Sequence, residues 1–275
     1  MRIDLAGLAC GYPGADPLFE DLTVCLSAAS WTSVLGSNGV GKTTLIRALM
    51  GLQPPLAGQV LMDGRPLVEL SRQQIARKVG YVPQTQHNPF GFPVLDVVLM
   101  GRTVHVSRFG QPGSSDRRAC HEVLGSLGID ALADRPFTEL SGGEQQLVMI
   151  ARALVQEPSL VIFDEPTASL DLGNQARALR HMQRLVADGL GVVMTTHAPE
   201  QALSGDQVIL LQRGAQPIVG ATEAVLTSKH LSHAYGIPVA VSRRIEDGEP
   251  VTHIRSVDPP DPPDLPQPQG KPSQH

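Results

Sequence analysis

The octapeptide Gly36-Ser37-Asn38-Gly39-Val40-Gly41-Lys42-Thr43 fits G-x-x-x-x-G-K-[ST] without a mismatch. Gly36, Gly39 and Gly41 permit a tight turn whose backbone N–H groups can converge on phosphate oxygens. Lys42 supplies a point charge for the β- and γ-phosphates of a nucleotide, and the Thr43 hydroxyl is placed to bind Mg²⁺. Thr44, Leu45, Ile46, Ala48 and Leu49 continue as a helix, whose N-terminal dipole favours an anion. The β-rich run Thr32–Leu35 leads into the loop, so the strand–loop–helix context that this motif needs is met.

Two other runs carry chemistry of a matching kind. Leu160-Val161-Ile162-Phe163 reads as a strand buried on both faces and ends in Asp164-Glu165. Ligands of open α/β sheets gather at the carboxyl ends of strands. There Asp164 would orient a Mg²⁺ shell and Glu165 would polarise a water for attack on a γ-phosphate. Taken alone, the pair also reads as a strand ending in a solvated acidic turn. His197 follows the apolar run Val192–Thr196 and so falls on the same sheet edge. Ser141-Gly142-Gly143-Glu144 has two readings. Ser and Glu at this spacing form a capping box, while Gly142 and Gly143 leave the helix N-terminus open to an anion.

The elements that must position these residues follow from periodicity. Up to about Val241, strand-like apolar runs alternate with helix-period stretches, the pattern of an α/β fold. Val208–Leu211 is a further strand, and Gln175–Val186 a helix with Leu179, Met182, Leu185 and Val186 on one face. His181 in that helix reads as a surface or packing residue. Between Gln84 and Leu154 the strand-like runs fade into helices separated by a loop at Phe109–Asp116. This predicts an inserted helical subdomain at about residues 85–154, within a domain spanning 1–241. A C-terminal extension is expected at 242–256. From 257 the chain reads VDPPDPPDLPQPQGKPSQH, too rich in proline and too poor in apolar residues to bury a core, so 257–275 is expected to be disordered. No internal repeat is evident.

The chain has 275 residues and a net charge of −5, which argues against a duplex-binding surface and so against nucleic acid as a partner. Cys10, Cys25 and Cys120 lack metal-ligand spacing and read as small buried hydrophobes of a reducing compartment. No apolar run approaches the ~18 residues of a membrane span. The opening MRIDLAGLAC is interrupted by Asp4, and Gly7 stands where a lipoprotein site needs Leu. A soluble cytoplasmic protein is expected, one that would reach a membrane only through a partner.

Together these residues resemble the ATP-binding subunits of ABC transporters, over about Ile3 to Val241. Leu140–Gln146, LSGGEQQ, is similar to the ABC signature. Gln84 is similar to the Q-loop glutamine, Ser169-Leu170-Asp171 to the D-loop, and His197 to the switch histidine. Tyr12 stands where an adenine-stacking aromatic usually does. Ala28-Ala29-Ser30-Trp31 departs from the usual Gly-Glu turn, which puts that turn's geometry in question.

The resemblance implies a P-loop NTPase (RecA-like) core and ATP with Mg²⁺ as cofactors, the ion held through Thr43, Gln84 and Asp164. It assigns catalysis to Glu165, His197 and Gln84. Nucleotide contacts fall to Tyr12, Gly36–Thr44, Ser141, Gly142, Gly143 and Asp171. It further implies a head-to-tail homodimer in which Ser141 and Gly143 meet the γ-phosphate held by the other copy. The partners would be two membrane permease subunits and, indirectly, a substrate-binding protein, with the chain peripheral on the cytoplasmic face. VLDVVLMGRTVH (94–105) and HLSHAYGIPV (230–239) resemble importers of iron chelates, haem, cobalamin and molybdate. Arg102 and His105 are expected to be either partner contacts or a solvated helix end. A soluble ABC ATPase acting on ribosomes or DNA is the alternative; it commonly carries tandem ATPase domains or a coiled-coil insertion, and neither is present.

Overall fold

The computed structural model describes residues 1–84, 91–106, 110–168, 170–246 and 248–257. It opens with strands β1 (Arg2–Cys10), β2 (Phe19–Ser27) and β3 (Trp31–Leu35), then helix α1 (Lys42–Leu49). Strands β4 (Ala57–Met62) and β5 (Arg65–Pro66), helix α2 (Arg72–Ala76) and strand β6 (Val79–Val82) follow. Three helices, α3 (Val94–Leu99), α4 (Ser114–Ser126) and α5 (Gly142–Leu154), precede β7 (Leu160–Asp164). Then come α6 (Leu172–Ala187), β8 (Gly191–Thr196), α7 (Pro199–Ala202), β9 (Gln207–Leu210) and β10 (Ile218–Ala221). Helices α8 (Thr222–Val225) and α9 (Ser228–Tyr235) lead to the hairpin β11 (Val239–Glu246) and β12 (Glu249–Ser256).

One sheet decides the rest. Its order is β10-β9-β3-β8-β7-β6, parallel throughout except for the antiparallel edge strand β10. Parallel strands covered on both faces read as continuous apolar runs, and the sequence alternates its burial accordingly. In β7, Leu160 and Ile162 enter the core shared with α1 and the antiparallel sheet β2-β1-β4-β5. Val161 and Phe163 point the opposite way, into a core shared with α3, α4 and α5. Val193 and its neighbours Val192 and Met194 in β8 divide in the same manner.

The expected strands 32–35, 160–163 and 192–196 are present with ends shifted by at most a residue; the one expected at 208–211 begins and ends a residue earlier. The helix expected at 175–186 is longer, starting at Leu172 because Asp171 caps it: its Oδ1 accepts the Asn174 N–H at 2.8 Å. Burial lowers the pKa of His181 in that helix. The expected loop 109–116 ends early. Asp116 Oδ2 accepts the Gly113 N–H at 2.8 Å and starts α4 at Ser114, so Asp116 is a helix residue and not a turn residue. Phe109 lies outside the described residues, as do Ser169 and 258–275, where most of the expected disordered tail falls.

Arg102 is not a solvated helix end. Its side chain is 13% exposed, and its guanidinium donates to Asp116 (2.9 Å), Glu157 (2.7 Å) and the Val155 carbonyl (2.8 Å). His105 Nε2 likewise meets the Gln156 carbonyl at 2.9 Å. The two residues fasten the turn after α3 to the end of α5. Cys10 and Cys120 are buried, which pushes each thiol up to about 11; Cys25 is only half-buried, contrary to expectation, because it lies on the opposite face of edge strand β2 from the buried Val24 and Leu26. The turn at Ala28-Ala29 forms with Ala29 in the left-handed region (φ 53°), its N–H donating to the Gly189 carbonyl at 3.1 Å.

Gly101 sits where α3 meets α5. A Cβ there would collide with the Arg152 carbonyl and the Val155 side chain, both part of the same packed layer. Gly101→Ala is therefore expected to lower unfolding free energy by about 1–3 kcal/mol through overpacking. Denaturant unfolding measures this; an unchanged midpoint would contradict the close packing of the two helices.

Candidate active site

Because β3, β6, β7 and β8 run parallel, their carboxyl ends share one edge, and each delivers a different residue there. Leu35 ends β3 and passes directly into the Gly36–Lys42 loop. The loop's course depends on glycine at two places. A Cβ on Gly36 would lie 2.8 Å from the Leu211 carbonyl oxygen, and Gly41 has φ 114° with the Phe19 ring 3.1 Å from a would-be Cβ. Val40 turns its side chain into the core, so only its backbone faces the loop's concave side.

Lys42 is 5% exposed and begins α1. Its ammonium donates to the carbonyls of Gly36 (2.7 Å) and Ser37 (3.2 Å) and pairs with Glu165 Oε1 at 3.1 Å. Glu165 Oε2 in turn accepts from Gln84 Nε2 at 3.1 Å and contacts His197 Nδ1 at 3.1 Å. One carboxylate, 10% exposed, thus gathers Lys42, Gln84 and His197, which come from three different strand ends. Glu165 also holds φ 46°, a left-handed conformation that is uncommon for a side chain of its size.

Sequence reasoning missed what supports that carboxylate. Thr195 Oγ1 donates to Asp164 Oδ1 at 2.7 Å and accepts the Glu165 N–H at 2.9 Å, spending one hydroxyl on both acidic residues. Tyr81 donates from its hydroxyl to Asp164 Oδ2 at 3.3 Å; burial, with the negative charge of Asp164, pushes that phenol up to about 12. Further along, Thr167 and Thr196 both donate to Gln201 Oε1 at 2.8 Å, tying the turn after Glu165 to the turn after His197. The available signal was a polar pair, Thr195-Thr196, closing an otherwise apolar buried strand.

A cleft of about 620 Å³ opens over this edge. Tyr12, Asn38, Gly39, Gly41, Lys42, Thr43, Thr44, Gln84, Glu165 and His197 line it. Tyr12 is 53% exposed, free to present its ring to a base. Gly36, Ser37 and Val40 do not line the cleft; they shape the loop from behind. Asp164 also lies behind the wall, 6% exposed, with lone pairs left beyond its two donors. Thr43, Gln84 and Asp164 offer only oxygen ligands, and among the described residues no cluster of three or more His, Cys, Asp or Glu could cage a metal. That combination fits Mg²⁺, which takes one or two protein oxygens plus substrate phosphates.

Ser141, Gly142, Gly143 and Asp171 are elsewhere. Ser141 caps α5 with a complete capping box: its N–H and hydroxyl donate to Glu144 Oε2 at 2.8 and 2.7 Å. Those bonds from Ser141 hold the Glu144 carboxyl below its ordinary range. Ser141 and Gly143 line a second cleft, of about 210 Å³ between α5 and α6, which shares no lining residue with the first. Asp171, the cap of α6, lines neither.

The family model for "ABC transporter" matches residues 19–168. The chain belongs to the ABC transporter family. As an ATP-binding subunit of that family it is an ATPase with a P-loop NTPase fold. It is 38% identical over 236 residues to an ABC transporter ATP-binding protein of Haemophilus influenzae, covering 86% of this chain and 89% of that protein. It is 35% identical to the molybdate import ATP-binding protein MolC of the same organism, over 86% and 89% of the two chains. Among solved structures it is similar to a metal-chelate type ABC transporter in an inward-facing conformation, with TM-score 0.84 and 33% identity, covering 94% of this chain and 98% of that one. No helix among the described residues is long and apolar enough to cross a membrane.

Thr195→Val keeps the shape of the side chain and removes its hydroxyl, stranding Asp164 Oδ1 and the Glu165 N–H. The expected cost is about 1–3 kcal/mol of stability, with a fall in ATP hydrolysis as Glu165 loses its support. Unfolding curves and steady-state phosphate release check both. Normal turnover in this variant would mean Glu165 is held by other contacts.

Proposed function

We propose that the chain is the ATP-hydrolysing subunit of an importer that takes up a metal chelate (iron–siderophore, haem or cobalamin type) or a molybdate-type oxyanion. The molybdate importer and metal-chelate relatives support the solute class. The observation that carries the enzymatic reading is the gathering of Lys42, Gln84 and His197 on the single carboxylate of Glu165.

In this reading the Gly36–Thr43 backbone and Lys42 cradle the β- and γ-phosphates, and Tyr12 stacks on the adenine. Thr43 and Gln84 directly, with Asp164 behind them, would hold Mg²⁺, which when bound neutralises charge on the phosphate oxygens. Glu165 accepts a proton from water as the water oxygen bonds the γ-phosphorus and the bond to the ADP oxygen breaks. Gln84 and His197, both on Glu165 Oε2, orient that water and the γ-phosphate. Lys42 has a choice of partners: Glu165 at 3.1 Å or a phosphate, and a bound phosphate frees the carboxylate for its role as base.

The Ser141–Gly143 end of α5 would complete the site of a second copy, arranged head to tail. A γ-phosphate bridging the two copies favours the closed pair, and hydrolysis releases it, a ligand-driven population shift. Two integral-membrane permease subunits would receive that motion, with a substrate-binding protein acting on them from the other side. The chain would then sit peripherally on the cytoplasmic face of the membrane. A net charge of −5 disfavours the alternative role on DNA or ribosomes.

Glu165→Gln is expected to bind ATP, to lose nearly all turnover and to accumulate an ATP-bound dimer. Size-exclusion chromatography with ATP, beside a phosphate-release assay, checks this; wild-type hydrolysis would remove Glu165 from the base role. Ser141→Arg is expected to cripple hydrolysis while each monomer still binds ATP. If the variant loses only the ~1 kcal/mol of a helix cap and hydrolyses normally, Ser141 is no part of a shared site.

A further inference from the structure

His197 is lightly held for a residue that meets Glu165. Its side chain is 51% exposed and, among the described residues, bonds only to Glu165. The turn beyond it is well fastened, since the Ala198 N–H donates to Thr196 Oγ1 at 3.1 Å and Gln201 holds Thr196. One bond reaches the backbone of His197 itself: the Tyr235 hydroxyl donates to its carbonyl at 2.8 Å. That bond spans 38 residues and comes from the last residue of α9.

We propose that Tyr235 is a positioning residue for His197, and that α9 is a strut between the loops of the active site. The helix has a second attachment at the other side of the cleft. His233 Nδ1 meets Oε1 of the buried Gln212. Gln212 follows Leu211, whose N–H donates to the Leu35 carbonyl at 2.8 Å and whose own carbonyl backs Gly36. So α9 holds, through His233, the Gln212 next to the residue that backs the phosphate loop, and reaches the His197 loop through Tyr235.

The C-terminal hairpin stiffens the strut. Ser232 Oγ accepts the Val239 N–H at 2.8 Å and Ser228 Oγ the Val241 N–H at 2.9 Å, locking β11 to α9. Strand β12 packs against α7, the helix that follows His197. Leu231 is fully buried, and Tyr235, Val239, Val241 and Ile254 pack on the same apolar cluster. Burial, aided by nearby Glu200 and Glu165, raises the Tyr235 phenol well above its ordinary value, so it keeps its proton and remains a donor. Carbonyl and phenol together fix where the His197 ring starts, which an exposed imidazole with one partner does not fix by itself.

The inference rests on His197 acting at the γ-phosphate as proposed above. The test uses the full chain and compares wild type, Tyr235→Phe, His197→Ala and the double variant for kcat, KM for MgATP and thermal midpoint. Tyr235→Phe keeps the ring and is expected to lower kcat about three- to tenfold, the range one neutral hydrogen bond supports, with KM within about twofold. In the His197→Ala background the same change is expected to cost nothing, because Tyr235 acts through that ring. An unchanged kcat in Tyr235→Phe, or an equal loss in both backgrounds, overturns the positioning role. If His197→Ala hydrolyses ATP as wild type does, it is the reading of His197 that fails. Should Tyr235→Phe lower the thermal midpoint, the double-variant comparison still separates a general loss of structure from an effect on His197.

Discussion

Each residue that converges on Glu165 leaves a strand at its carboxyl end, so the site exists only while β3, β6, β7 and β8 stay parallel and in register. Asp164 pairs across to Thr195 in that register, and Val82 lies beside Phe163. A slip of one residue would invert the alternation that sends Leu160 and Ile162 to one core and Val161 and Phe163 to the other. It would also remove the Thr195 hydroxyl from between Asp164 and Glu165. Core packing and active-site geometry are therefore the same constraint seen from two ends of the strands.

The chemistry follows from charge gathered in a shielded place. Lys42 and Glu165 are nearly buried, and an ion pair taken from water is poor evidence of stability because desolvation offsets its attraction. Here the pair makes sense as a set of exchangeable partners. In the proposed mechanism a phosphate replaces Glu165 beside Lys42, and a water replaces Lys42 beside Glu165. The left-handed backbone of Glu165, pinned by Thr195, is the kind of local strain that persists only where surrounding structure fixes it.

Helices at the two ends of the domain serve the site at a distance. The layer of α3, α4 and α5 packs on the sheet and presents the capped N-terminus of α5 away from the phosphate loop, so the Ser141–Gly143 cleft and the Lys42 cleft share no lining residue. On the other flank α9 and the hairpin brace His197. The capping box at Ser141 is reciprocal: the Ser141 N–H and hydroxyl donate to the Glu144 carboxylate, and the Glu144 N–H donates back to the Ser141 hydroxyl.

The sequence by itself determined the phosphate loop, the strands beneath it and the acidic pair, because these depend on local rules: glycine where the backbone must bend, apolar runs where both faces are buried, and a polar residue where a strand ends. It also identified Gln84 and His197, through motif resemblance more than through local physics. Only the tertiary structure decided which groups meet. Arg102 read as a surface residue and is an internal brace, Cys25 read as buried and lies on the less buried face of an edge strand, and Asp116 read as a loop residue and starts a helix. Tyr81 and Tyr235 carry no pattern of their own, and the Thr195-Thr196 pair marks only a polar strand end, since a hydroxyl acquires its role from the acceptor that the fold brings to it. In Tyr235 and His197 that acceptor lies 38 residues away, a separation bridged by β9, β10 and three helices, which no periodicity along the chain encodes.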